Sequence, residues 1–149
     1  YRTELGRVPG LRGYHDVTRN PTAQRIPGVL ILRFDAPLFF ANGGMFDDYV
    51  RSEVVQSQQE GREVHTVILA AEPITEIDAT AVDELVELDD YLRSNNITLV
   101  FAEMKSPVRD QLAQYDLTVD GEPRFDDTQF APTTGAKVDE ITGCLLGDI

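Results

Sequence analysis

The sequence predicts an α/β layer fold, a mixed and mostly parallel central β-sheet packed by helices. Three observations carry that expectation. Short apolar, branched runs at residues 29–34 (VLILRF), 64–71 (VHTVILAA) and 98–103 (TLVFAE) alternate with stretches of helical period, as in βαβ units around a parallel sheet. The runs are nearly continuous in apolar residues, which suits strands covered on both faces. A break at residues 35–37 followed by apolar residues 38–40 suggests a hairpin-like return, so an antiparallel edge is expected.

Taken in order, residues 1–12 contain Gly6, Pro9 and Gly10 without periodicity and read as linker. Residues 13–17 (GYHDV) read as a short strand, and residues 19–28 as a turn-rich connection with two prolines. After the strands at 29–34 and 38–40, Asn42 is placed to cap a helix over 43–60. Phe46, Val50 and Val54 form its inner stripe, with Met45 and Tyr49 beside it, and Gly61 is its natural stop. The next helix is expected over 79–94, with Val82, Leu85, Val86, Leu88 and Leu92 inward. Asp83, Glu87 and Asp90 then share its outward edge. Ser106 is placed to cap a short helix over 107–115, with Pro107 at the permitted first position. Residues 116–132 read as loop with a weak edge strand in FDDTQF, and 133–146 as a last helix weakened by glycines.

Composition narrows the function. A chain of 149 residues with 42% apolar and 26% charged residues suits one globular domain able to bury a core unaided. No run approaches the ~18 apolar residues of a membrane span, so no direct insertion is expected. The start at Tyr1 without a signal-peptide pattern suggests a piece of something longer. One cysteine, Cys144, excludes an intrachain disulfide and fits a reducing compartment. His15 and His65 lie far apart with no ligand spacing around them, so no metal site is expected.

Net charge is −13, which disfavours nucleic acid as a partner. It is uneven: residues 1–25 hold five arginines against Glu4 and Asp16, leaving 8 basic and 24 acidic residues beyond. A basic leader of this kind would sit well just inside a membrane.

The stretch EPITEIDAT, where a buried strand hands over to a helix, is the candidate site. Asp78 is a favoured N-cap whose carboxylate complements the helix dipole. Thr80 would then be the second helical residue, its hydroxyl beside the loop. No histidine stands in a motif with Thr80, and there is no nucleophile elbow, so catalysis is not expected. A phosphate cradle would meet Asp78, Asp83 and Glu84, and no glycine-rich phosphate loop exists. No cofactor is expected beyond weak nucleotide binding. A regulatory hydroxyl is the remaining functional role: a phosphate on Thr80 would add nearly two charges beside those acids and release a docked partner.

Two sets of residues carry a family resemblance. Asp78-Ala79-Thr80-Ala81, opening a helix after a central strand, resembles the D-[ST]-[ST]-G-like loop of STAS domains, the module shared by sulfate transporters and anti-sigma factor antagonists. Thr80 matches the position of the hydroxyl residue phosphorylated in the antagonists, whereas Ala79 and Ala81 replace their usual Ser and Gly. The pieces YHDV, NPTA, IPGVLILR and PLFFAN within residues 6–42 are similar to the linker and first strands of the cytoplasmic domain of SulP-type anion transporters. The resemblance covers roughly residues 6–115.

It implies a STAS, anti-sigma factor antagonist-like fold over 13–149, tethered through 1–12 to a membrane domain outside this chain, at the cytoplasmic face of the cell membrane. It implies regulation or assembly of a sulfate-like anion carrier, with that transporter's transmembrane domain, a second subunit or a regulatory protein as partner. Phe39, Phe40 and Met45, near a strand–helix junction, are the candidate partner contacts. The alternatives are a free-standing antagonist-type switch phosphorylated at Thr80, and a weak nucleotide sensor.

Overall fold

The computed structural model describes residues 2–9, 13–20, 22–34 and 43–143. Among them runs a sheet of six strands: β1 (Arg2–Arg7), β2 (Tyr14–Asp16), β3 (Gly28–Phe34), β4 (Val64–Ala70), β5 (Thr98–Ala102) and, later in the chain, β8 (Phe130–Ala131). Their spatial order is β2-β1-β3-β4-β5-β8. β3, β4, β5 and β8 are mutually parallel, while β1 pairs antiparallel with both β2 and β3. The sheet is therefore mixed, as expected, but its antiparallel part comes from the N-terminal strands. The expected strand at 38–40 lies outside the described residues.

Parallel neighbours require crossovers, and helices α1 (Gly43–Gln59), α2 (Ala79–Ser94) and α3 (Ser106–Ala113) follow β3, β4 and β5 in turn. The strands' two-residue period divides their apolar side chains between two cores. Leu30, Leu32, Val67, Leu69, Leu99 and Phe101 face the three helices, meeting Phe46, Val50 and Val54 of α1 and Leu85, Leu88 and Leu92 of α2. Val29, Ile31, Ile68, Ala70 and Val100 face the other way, where they cluster with Leu5 of the neighbouring strand β1 and with Val138 of α4 (Thr134–Thr142). Each fully buried Leu or Ile contributes about 1.5–3 kcal/mol, so this double layer dominates stability.

The leader departs from the expectation of a linker. Arg2–Arg7 is an internal strand of the sheet, with Thr3, Glu4 and Leu5 buried. Gly6 is the reason the pattern misleads: a Cβ there would lie 2.8 Å from the Gln24 carbonyl oxygen. The close approach is a bridge in which Arg7 N–H donates to Gln24 O at 2.8 Å and Gln24 N–H to Arg7 O at 2.6 Å. The basic residues are likewise folded in. Arg25 and Arg62 both pair with the buried Glu4 carboxylate, at 3.0 and 3.3 Å, and Arg7 donates to Tyr14 Oη at 2.9 Å.

Residues 116–132 hold the short edge strand suggested near FDDTQF, and more regular structure besides. Strands β6 (Thr118–Val119) and β7 (Glu122–Pro123) form a hairpin turned by Asp120 and Gly121, both with positive φ. A single 3₁₀ turn (Asp127–Gln129) leads into β8, and Phe125 and Phe130 pack edge-on and stacked against Phe101. α3 starts after Lys105, which makes no side-chain cap bond, so Ser106 is its first residue and not its cap. α4 is capped by Thr133 through Ala136 N–H, with Gly143 in the left-handed region as its C-cap, and the rest of the helix expected over 133–146 lies outside the described residues.

This segment is tied to α2 by an ion network. Asp89 is fully buried. It accepts from Arg93 Nε at 2.7 Å and Arg124 Nη1 at 2.8 Å, and Arg124 also reaches Asp90 at 2.7 Å. Arg93 Nη2 donates to the Arg124 carbonyl, and Gln129 Nε2 to the Leu99 carbonyl. Burial alone would lower the pKa of the Arg124 guanidinium; the hydrogen bonds to Asp90 and Asp89 outweigh it and the pKa is raised.

Removing Asp89 strands a buried guanidinium. Asp89→Ala is expected to cost about 3–5 kcal/mol in urea unfolding, whereas Asp90→Ala, at the exposed end of the network, should cost about 1 kcal/mol or less. Gly6→Ala should cost about 1–3 kcal/mol by forcing β1 away from Gln24.

Candidate functional site

Because β3, β4 and β5 run parallel, the helices that follow them all begin at one edge of the sheet, beyond the carboxyl ends of the strands. That edge is where open α/β sheets usually present their functional groups. Asp78 and Thr80 lie there, at the start of α2. Met45 belongs to the first turn of α1 at the same edge, with its side chain outside the described set. Phe39 and Phe40 fall outside the described residues.

The loop from β4 to α2 is held by buried anchors on either side of an exposed crest. Ala71 N–H donates to the Ala102 carbonyl at 2.8 Å and Ile74 N–H to the Ala71 carbonyl at 3.0 Å. Ile74 and Ile77 are buried, and Ile77 N–H donates to Gln111 Oε1 at 3.4 Å. Lys105 Nζ donates to the Glu72 carbonyl at 2.7 Å. Glu72, Thr75 and Glu76, between these anchors, are exposed.

Asp78 leaves the loop in extended conformation, and its Oδ1 accepts from Ala81 N–H at 2.9 Å. This is the expected N-cap, satisfying the third amide of the helix. Ala79 and Thr80 are exposed, so the Thr80 hydroxyl is open to solvent on the first turn. The outward edge of Asp83, Glu87 and Asp90 is exposed as expected.

Glu84 was not distinguished from its acidic neighbours by sequence pattern. It lies between the buried Ala81, Leu85 and Leu88, and its Oε2 is buried with no hydrogen-bond partner. Burial raises its carboxyl pKa first, and the nearby charges of Asp47, Glu87 and Asp48 raise it further. Only the helical period, which puts residue 84 on the flank towards α1, could have signalled this. Gln111 and Lys105, which pin the loop from α3 and its approach, carry no signal at all in the sequence.

The chemistry available here is electrostatic and recognitive. Asp78 already occupies an amide at the helix start, and Asp83 and Glu84 follow in the second turn, so a bound anion would face like charge. His65 is on β4 near its amino end, away from this edge, with Nδ1 2.8 Å from Thr66 Oγ1, and His15 lies on β2. Among the described residues no group of three or more His, Cys, Asp or Glu could hold a metal ion. No described helix is long and apolar enough to cross a membrane.

Comparison with known proteins matches residues 20–131 to the family model described as STAS domain. A probable sulfate transporter of Mycobacterium tuberculosis is 38% identical over 108 residues, covering 72% of this chain and 19% of the transporter. The chain thus spans about a fifth of that relative's length. The inward-facing structure of murine Solute Carrier 26 family member A9, an anion transporter, superposes with a TM-score of 0.80 at 20% identity, over 95% of this chain and 22% of that one. The STAS domain of a SulP transporter from Vibrio cholerae superposes with a TM-score of 0.57 at 15% identity, over 85% of this chain and 91% of that one. The last two likenesses concern the fold.

Two stability measurements test the site's geometry. Asp78→Ala should lose about 1 kcal/mol and Asp78→Ser only a few tenths, read by thermal or urea unfolding. For Glu84 the folded pKa is raised, so its stabilising contribution is complete below the unfolded carboxyl range and is lost as pH rises through the folded value. Glu84→Gln should therefore match the parent near pH ~3.5 and melt higher than it at pH ~7; a constant difference across that range would contradict the assignment.

Proposed function

The chain belongs to the STAS-domain family, and from that membership we propose that it is the cytoplasmic regulatory and docking module of a SulP-type secondary transporter of sulfate or a related anion. The observation that carries the proposal is the 38% identity to a probable sulfate transporter, sustained over 72% of the chain. The relatives found are named as transporters, not as enzymes. On this reading the anion path belongs to the rest of the transporter, and the domain acts through protein contacts.

The partner is the transmembrane domain of the same transporter, or a second subunit or regulatory protein that bears on it. The edge where α1, α2 and α3 begin is the proposed contact face. It combines an exposed loop crest, the exposed Thr80 and acidic side chains on either side of the first turn of α2, Asp78 before it and Asp83 after it. Phe39 and Phe40, just before α1 in the chain, and Met45 in its first turn are proposed as its apolar contacts. A phosphate on Thr80 would add about 1.5–2 negative charges beside Asp78, Asp83 and Glu84 and weaken docking of any partner that is neutral or acidic there.

Sulfate uptake by the full-length transporter carrying this domain tests the proposal. Thr80→Asp is expected to change uptake by about threefold or more, with Thr80→Ala close to the parent and all proteins equally abundant. Equal uptake for Asp, Ala and parent would remove Thr80 from regulation. Deleting the domain without effect on uptake or on membrane accumulation would remove the docking role altogether.

A further inference from the structure

We propose that the edge beyond the carboxyl ends of β3, β4 and β5 is covered by a basic segment of the same polypeptide, the one that joins a membrane domain to residue 1. This rests on the reading above, in which the domain is part of a longer transporter; the match covers 19% of the transporter relative, so most of such a protein lies outside this chain. Strand register places the entry of the chain. β1 runs antiparallel to β3 with Thr3 opposite Arg33, Arg33 stands opposite Ala70 of β4, and Ala70 opposite Ala102 of β5. The four residues form one row across the sheet at the carboxyl ends of the parallel strands. Arg2 therefore begins its strand at the edge where β3, β4 and β5 finish, the edge that carries Asp78 and Thr80. Neighbouring strands lie about 4.8 Å apart, so Thr3 is about 10 Å from Ala70, and a segment leading into Arg2 spans that gap in a few residues. The opposite edge lies about 23 Å away along the seven residues of β4.

Charge selects the chemistry of the covering segment. Asp48, Glu72, Glu76, Asp83 and Glu103 are exposed on the loops and first two helical turns at this edge. Against them stand Lys105, whose ammonium donates to the Glu72 carbonyl at 2.7 Å, and Arg109, paired with Asp127 at 2.8 Å. Cytoplasmic segments beside membrane spans carry an excess of Lys and Arg. The stretch of chain brought nearest to this edge by the register of β1 is thus also the one of complementary charge, which fixes orientation and excludes acidic competitors. Against a basic segment, a phosphate on Thr80 would tighten the contact, the reverse of its effect on the neutral or acidic partner considered above.

Photo-cross-linking in the full-length transporter tests the assignment. The photoreactive residue p-benzoylphenylalanine replaces either Glu76, exposed on the loop crest, or Glu63, exposed just before β4 at the opposite edge, and the captured peptides are identified by mass spectrometry. The probe at position 76 should capture the segment between the last membrane span and residue 1, and the probe at position 63 should not. Glu72→Gln, Asp83→Asn and Glu103→Gln together should lower the yield at position 76 by about threefold or more, as should high salt. Capture of that segment from position 63, its capture from neither position, capture of a different part of the protein from position 76, or a yield indifferent to charge would overturn the proposal. Uptake unaffected by deletion of the domain would defeat the regulatory reading and leave these cross-links in place, so the two fail separately.

Discussion

The buried carboxylate of Asp89 is the constraint on which the far half of the molecule depends. A charge with no solvent exposure has to be answered in full, and here it is answered by Arg93 one turn along α2, by Arg124 beyond the β6–β7 hairpin and, at 3.5 Å, by Gln129. That requirement fixes where residues 116–131 must pass. With Arg124 pinned, Phe125 and Phe130 close over Phe101, Gln129 reaches the Leu99 carbonyl, and β8 takes its place beside β5. Such a network is weak evidence for net stability, since burying the ions costs several kcal/mol each. Its value is in specification: an otherwise polar segment with two short strands has one path that satisfies Asp89.

The same division between specification and bulk stability runs through the sheet. Apolar burial on both faces supplies the energy, and β3, β4 and β5 provide it through side chains that alternate between the helix-covered face and the face under α4. The functional edge adds little to that energy. Its loop is held by Ile74 and Ile77 below and by Gln111 and Lys105 from the side, which leaves the crest and Thr80 free to be read by another surface. The molecule thus separates a rigid floor from a recognition rim.

The parts of the fold legible in the sequence are those in which one period dominates over many residues. The strand at 29–34, the strand at 64–71 and α2 are of this kind, and Asp78 as cap follows from local chemistry alone. The parts not legible depend on partners distant in sequence. In the run Glu87-Leu88-Asp89-Asp90 the helical period turns Asp89 inward, but the group that makes a buried acid tolerable there is Arg124, 35 residues on. β1 is disguised by Gly6, a loop signal that here records a close approach to Gln24. The five arginines that read as a membrane-facing leader include three, Arg7, Arg19 and Arg25, whose partners Tyr14, Asp16 and Glu4 lie within the same first 25 residues. Ser106 shows the smaller error of a cap displaced by one residue, since proline at position 107 fixes the turn without needing a side-chain acceptor.

The position of β1 carries a mechanical meaning. Its first half, Arg2–Glu4, pairs with β3 and its second half, Leu5–Arg7, with β2. Tension applied through residue 2 along the strand axis would load those ladders in shear, where bonds must fail together, and not peel them one at a time as at an edge strand. The floor of the domain would therefore move as a unit with whatever pulls on that strand, so that a displacement at one end of the sheet arrives undiminished at the other.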